Sequence, residues 1–198
     1  MKVKDRAKPK TPPVEPGVYM AICIGCVDLG EQYNETFKNH SNKCLYIFEL
    51  IGETIEVDGE IKPRQLSKEF AISSSSKSNL RKFIESWNGK SYTDDDFMEL
   101  DLFDQIGKSC QLNVVLNDTK EYANIDNLMP LPRGVPAFTT ETAPVRWDMS
   151  AWDDEVFKTL PEWIQDKIKK STEYANDHAP ETVIEVKEEV ASAEECPI

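Results

Sequence analysis

Lys77-Ser78-Asn79-Leu80-Arg81-Lys82-Phe83-Ile84-Glu85-Ser86-Trp87-Asn88-Gly89-Lys90 is the stretch on which the fold turns. Leu80, Phe83, Ile84 and Trp87 fall at i, i+3, i+4 and i+7, which makes one apolar stripe on a helix. The serine run Ser73 to Ser76 supplies an N-cap, and Gly89 ends the helix as a C′ glycine. A helix with one apolar face needs a surface to cover, and the chain on either side has the period of strands.

Upstream, Gly17 to Asp28 alternates Val18, Met20, Ile22 and Ile24 with Tyr19, Ala21 and Cys23. Lys43 to Ile51 sets Leu45, Ile47 and Glu49 against Cys44, Tyr46, Phe48 and Leu50. Thr54 to Ile61 and Gln65 to Ile72 continue the strand material, with Asp58-Gly59 as a hairpin turn. Downstream, Thr93-Asp94-Asp95-Asp96 reads as a capping box with Asp in its fourth position, opening a second short helix. Ser109 to Leu116 alternates again, Asn117-Asp118 is turn chemistry, and Glu121 to Met129 is the last strand. This order predicts a mainly β fold: a five-stranded oligonucleotide-binding-like barrel with a helix between strands 3 and 4. An SH3-like barrel or an α+β sandwich would use the same elements.

The chain has 198 residues with 23 basic and 36 acidic side chains, a formal charge of −13. No run approaches the ~18 apolar residues of a membrane helix, so no membrane partner is expected. Lys2, Lys4, Arg6, Lys8 and Lys10 face only Asp5, and no apolar run follows them to make a signal peptide. The expected location is therefore the cytoplasm, and with Thr11-Pro12-Pro13 next, residues 1–13 read as a flexible basic arm. Residues 14–133 form the barrel domain. Pro130, Pro132, Gly134, Pro136 and Pro144 lead into an extension, 134–170, where Leu160, Ile164 and Ile168 lie four apart. Pro161 at N1 and Lys167, Lys169 and Lys170 at the far end mark a short amphipathic helix. Trp147, Trp152 and Trp163 in the same segment either pack back on the domain or form a self-association surface. Residues 171–198 hold eight acids against Lys187 and few bulky apolar side chains, the composition of a disordered acidic tail.

Cys23, Cys26, His40 and Cys44 have the zinc-ligand spacing C-x2-C-x13-H-x3-C. Strand alternation argues against it, since Cys23 and Cys26 would point to opposite faces, so the expectation is no metal and no cofactor. Two histidines, no Gly-rich phosphate loop and no nucleophile elbow argue against an enzyme. A single-strand groove needs aromatics for the bases interleaved with cations for the phosphates. The candidates are Tyr33, Phe37 and Lys38; Lys43 and Tyr46; Arg64 and Lys68; and Lys120 and Tyr122.

Several stretches resemble phage-encoded single-stranded DNA-binding proteins with an oligonucleotide-binding fold. They are Gly17-Val18-Tyr19 through Asp28-Leu29-Gly30-Glu31-Gln32, Phe48-Glu49-Leu50, and Lys77-Ser78-Asn79-Leu80-Arg81 to Trp87-Asn88-Gly89-Lys90. Ile106-Gly107-Lys108 with Cys110, and Leu160-Pro161-Glu162-Trp163-Ile164-Gln165, extend the likeness over residues 14–170. The resemblance implies sequence-independent binding of single strands in phage replication or recombination, in the host cytoplasm. The end, Glu194-Glu195-Cys196-Pro197-Ile198, is similar to the acidic tails of bacterial single-strand binding proteins, with Ile in place of Phe. That likeness implies a docking role for Pro197 and Ile198 toward replication or recombination proteins. The net charge supports a different reading, an acidic interaction protein or DNA mimic that inhibits a host enzyme.

Overall fold

Alternating apolar sequence becomes β1 (Gly17–Asn34), β2 (Asn39–Val57) and β3 (Glu60–Ala71), and the 3.6-residue stripe becomes α1 (Asn79–Asn88). There follow α2 (Asp94–Met98), β4 (Ser109–Leu116), β5 (Ala123–Met129), β6 (Val145–Trp147), α3 (Asp154–Thr159), α4 (Glu162–Ile168) and α5 (Thr172–Asp177). The computed structural model describes residues 12–57 and 59–177.

The fold is mainly β. Five strands lie in the order β3-β2-β1-β4-β5, all antiparallel, and β6 runs parallel to β1. β1 is shared: Gly17–Ile22 pair with β4, and Ala21–Asn34 pair with β2. The helices α1 and α2 stand between β3 and β4 in the chain, as expected. The closed barrel is not what forms. Among the described residues the sheet is open, with β3 and β5 as its edges. Each edge carries a feature that disfavours a further ladder. Pro63 has no N–H to give, and Asp126 is an extra residue where the β4–β5 register slips between Asn113 and Val114. A side chain spans the seam instead: the Lys68 ammonium donates to the carbonyls of Ile125 and Asp126, the latter at 3.1 Å.

The inner face carries the first core. Tyr46, Phe48, Phe70, Phe83 and Trp87 form one aromatic cluster, with ring centroids 4.6 to 6.4 Å apart. Leu80, Ile84 and Trp87 of α1 complete it, each nearly inaccessible. Ser78, not the serine run before it, caps α1, its hydroxyl accepting from the Arg81 amide at 3.1 Å. Thr93 caps α2 as expected, and its hydroxyl donates to Asp96 Oδ2 at 2.7 Å. Arg81 is buried and ties the two helices together through Glu85 Oε1 (3.2 Å), Asp94 Oδ1 (2.5 Å) and the carbonyls of Ser74 and Tyr92.

The outer face of β1 and β2 carries the second core. Ile22, Ile24, Val27, Leu29, Leu45 and Ile47 pack under Trp147, Phe157, Leu160, Ile164 and Ile168. The tryptophan segment thus packs back on its own domain, with Trp163 left partly exposed. The order continues past residue 171, where the tail was expected to start. Ser171 is fully buried, and the Glu173 carboxylate accepts the Glu31 amide at 2.9 and 3.1 Å. Gly30 allows this approach: its φ is +68°, and a Cβ there would lie 2.8 Å from Ser171 Cβ. A count of apolar residues could not register this docking, because much of it is made by polar side chains meeting backbone donors.

Candidate nucleic-acid interface

Alternation along β3 turns Arg64, Leu66, Lys68 and Phe70 toward the inner side of the sheet, increasingly buried toward Phe70. At the Arg64 end the β2–β3 hairpin faces the β4–β5 turn across a cleft of about 570 Å³. Ile55, Val57, Pro63 and Leu66 make an apolar wall, and Tyr122 stands on the opposite rim, 60% exposed. The turn that presents Tyr122 is well built. Asn117 Oδ1 accepts from the amides of Glu121 and Tyr122, each at 2.9 Å, and the Tyr122 carbonyl accepts from the Asn117 amide at 2.9 Å. Lys120 occupies the left-handed region at φ +56° in this turn. The chain enters the fold at the same cleft. Pro12 and Pro13 line it, Val14 is buried in the inner core, and the Arg64 guanidinium donates to the Pro12 carbonyl.

The cleft therefore brings together Arg64 and Tyr122 of the residues expected to bind, while Lys120 stays in the β4–β5 turn outside its lining. Tyr33, Phe37 and Lys38 form a separate group at the tip of the β1–β2 hairpin, at the opposite end of β1. Phe37 is 76% exposed there, its amide and that of Thr36 held by Asn34 Oδ1 at 3.2 and 3.0 Å. Lys38 takes φ +51° at the bend.

Three expected contacts have structural roles. Tyr46 is completely buried in the aromatic core, and its hydroxyl donates to the Leu102 carbonyl at 3.0 Å, so no base can stack on it. Lys43 is held by Glu69 Oε1 at 2.8 Å, and the other oxygen of Glu69 takes Lys167 of α4 at 2.5 Å. Lys68 staples the seam, and burial lowers its pKa from the ordinary lysine value. Sequence reading missed the apolar wall of Ile55, Val57 and Pro63 and the anchoring of Pro12–Val14. Alternation in the β2–β3 hairpin was the available signal for the wall. Pro197 and Ile198, and most of the basic arm, lie outside the described residues.

The cysteine spacing does not assemble a metal centre. A bulge at Ile24–Gly25 shifts the alternation by one residue, so Cys23 and Cys26 both enter the inner core rather than opposite faces. Gly25 is needed at that point, because a Cβ would lie 3.1 Å from Val145 Cβ of β6. Burial raises the Cys23 and Cys44 thiols to about 12, which keeps them protonated. His40 is on the exposed hairpin, with its ring 5.1 Å from Tyr33 and its Nδ1 3.3 Å from Glu31 Oε2. Among the described residues, no three metal-ligating side chains converge.

Comparisons with known proteins give no match to a family model, a curated protein or a solved structure.

Proposed function

We propose that this chain binds single-stranded DNA without sequence preference, in the replication or recombination of a phage within its host's cytoplasm, and performs no chemistry. The observation that carries the reading is the cleft between the β2–β3 hairpin and the β4–β5 turn, lined by an apolar wall, the exposed ring of Tyr122, and Lys62 and Arg64. Such a site stacks bases on aromatics and sets cations against the backbone. The strand order adds support. β1 pairs with both β2 and β4, and α1 and α2 lie between β3 and β4, the connectivity of an oligonucleotide-binding-like barrel left open at one seam. In the same reading Pro197 and Ile198 dock a replication or recombination protein.

The net charge of −13 favours one rival, an acidic protein that occupies a host enzyme's DNA site. Titrating the full chain into fluorescent oligo-dT at two salt concentrations separates them. A groove binder weakens with salt, with a log–log slope of about −0.7 per phosphate neutralised. Absence of binding at low salt rejects the groove and leaves the mimic.

A further inference from the structure

The β3–β5 seam carries two clefts in tandem. The first, beside Tyr122, ends at Leu66 on β3 and Ala123 on β5. A second, of about 490 Å³, takes up at Lys68 and Asp126 and runs on to the N-terminal half of α1. Between them Lys68 holds the seam through the carbonyls of Ile125 and Asp126. From Arg64 to Phe70 the two clefts together follow about 20 Å of the β3 edge, at ~3.3 Å per residue.

The two clefts differ in chemistry. The first offers an open aromatic ring and an apolar wall, and its cations are engaged: Lys62 stands 2.9 Å from Glu60 Oε2, and Arg64 donates to the Pro12 carbonyl. The second offers no ring to stack on, because Phe70 and Phe83, which line it, are buried. Its open groups are polar. Asn79, Lys82 and Asn127 are exposed, and none of these side chains has a hydrogen-bond or ion-pair partner among the described residues. The two carboxylates of the lining are occupied. Glu69 gives one oxygen to Lys43 and the other to Lys167. Asp126 lies near the Lys68 ammonium and accepts from Asn113 Nδ2 at 3.3 Å. Lys82 is therefore the unpaired charge of the second cleft, with two side-chain amides in the same lining. A cation and amide donors without an open ring suit a sugar–phosphate backbone rather than a base.

We propose that the second cleft is the phosphate-binding continuation of the first. One strand of DNA follows the β3–β5 seam, with bases against Tyr122 and the apolar wall, and its backbone passes over Lys68 to Lys82, Asn79 and Asn127. This rests on the single-strand reading and adds a path and a division of labour to it. The open seam then has a use. A continuous β3–β5 ladder would close both clefts, whereas a seam held at one point by Lys68 leaves a trough on either side.

The test is a titration of fluorescent oligo-dT from about 50 to 200 mM salt, the range over which counterion release is readily resolved. Oligomers of about 4 to 16 nucleotides cover the site sizes of single-strand-binding folds. The proteins are the full chain, Lys82→Gln, Tyr122→Ala, and Lys170→Gln as a control, since Lys170 is exposed just past α4 and has no ion pair among the described residues. On the long oligomer Lys82→Gln should flatten the log–log slope by about 0.7, the yield of one phosphate, and weaken binding several-fold at the lower salt. Its thermal midpoint should not move, and Lys170→Gln should change neither slope nor affinity. The Lys82→Gln effect should fade as the oligomer becomes too short to span both clefts, while the loss from Tyr122→Ala persists at every length that binds. A full chain that binds and is weakened by Tyr122→Ala, but whose slope is the same in Lys82→Gln as in Lys170→Gln, overturns the proposal and leaves the first cleft standing. A Lys82→Gln effect of equal size at every length that binds overturns the path, because it puts Lys82 beside the bases and not beyond them. A full chain that ignores oligo-dT at low salt removes the single-strand reading and this inference with it.

Discussion

The two faces of the β1–β2 region are built from the same kind of strand residue and covered by very different lids. The inner face is covered by the segment that follows β3 directly in the chain, α1 with Phe83 and Trp87 in an aromatic cluster and α2 with Phe97. The outer face is covered by residues 145–177, a strand and three short helices contributed from far along the chain. Here Ile22, Ile24, Leu45 and Ile47 on the outer face are already buried under Trp147, Phe157 and Ile164. With that face covered, the cleft at one end of the sheet and the hairpin tip at the other remain accessible.

Breaking the inner lid should have the largest effect. Trp87→Ala removes a buried ring that touches Tyr46, Phe48 and Phe83, a loss of about 3–5 kcal/mol. Urea unfolding should show a protein at the edge of stability or one that aggregates. A stable Trp87→Ala protein with lost oligo-dT affinity would put this residue in the binding surface instead. The outer lid should be the weaker of the two. Ile164→Ala, at a fully buried site, should cost about 2–4 kcal/mol and leave oligo-dT affinity intact, since the cleft is elsewhere. Affinity falling in step with stability would show that the outer lid supports the site.

The join between the outer lid and the hairpin is a smaller target. Gly30→Ala forces a side chain into a left-handed position against Ser171 and should cost about 1–3 kcal/mol. Proteolysis near residue 171 should then become faster, and an unchanged cleavage rate would mean that α5 is held by other contacts. The smallest effect is electrostatic. Burial alone would raise the Glu69 pKa, but hydrogen bonds from Lys167 and Lys43 outweigh it and hold the carboxyl below its ordinary value. A carboxylate with a lowered folded pKa stabilises the fold above its unfolded pKa, and that contribution is lost as the pH falls through the folded value. Wild type should therefore lose more stability than Glu69→Gln between neutral pH and acid. Parallel urea midpoints would show that the three-way ion pair contributes nothing.

Much of the inner half was legible because its signals are periodic. Leu80, Phe83, Ile84 and Trp87 mark the helix, Gly89 ends it in the left-handed conformation, and the strand runs alternate. Other features were hidden for physical reasons. The β1–β2 hairpin extends through Glu31–Asn34 and Asn39–Asn42, where both faces are polar and no alternation shows. The bulge at Ile24–Gly25 reversed the parity of Cys26, which sequence spacing cannot reveal. The open seam is bridged by Lys68 reaching across to β5, a contact between residues 57 positions apart. Of the candidate binding residues, exposure separates Tyr122, beside a polar turn, from Tyr46, in the apolar run Cys44-Leu45-Tyr46-Ile47-Phe48.

The most direct test of the account is oligo-dT affinity for Tyr122→Ala beside Phe37→Ala, with both melting curves recorded. Losing one base-stacking ring costs about 1–3 kcal/mol, or roughly five- to 150-fold in affinity. The account predicts that loss for Tyr122→Ala, with an unchanged melting temperature and a smaller change for Phe37→Ala. Full affinity in Tyr122→Ala together with a large loss in Phe37→Ala would contradict it and place the strand at the hairpin tip.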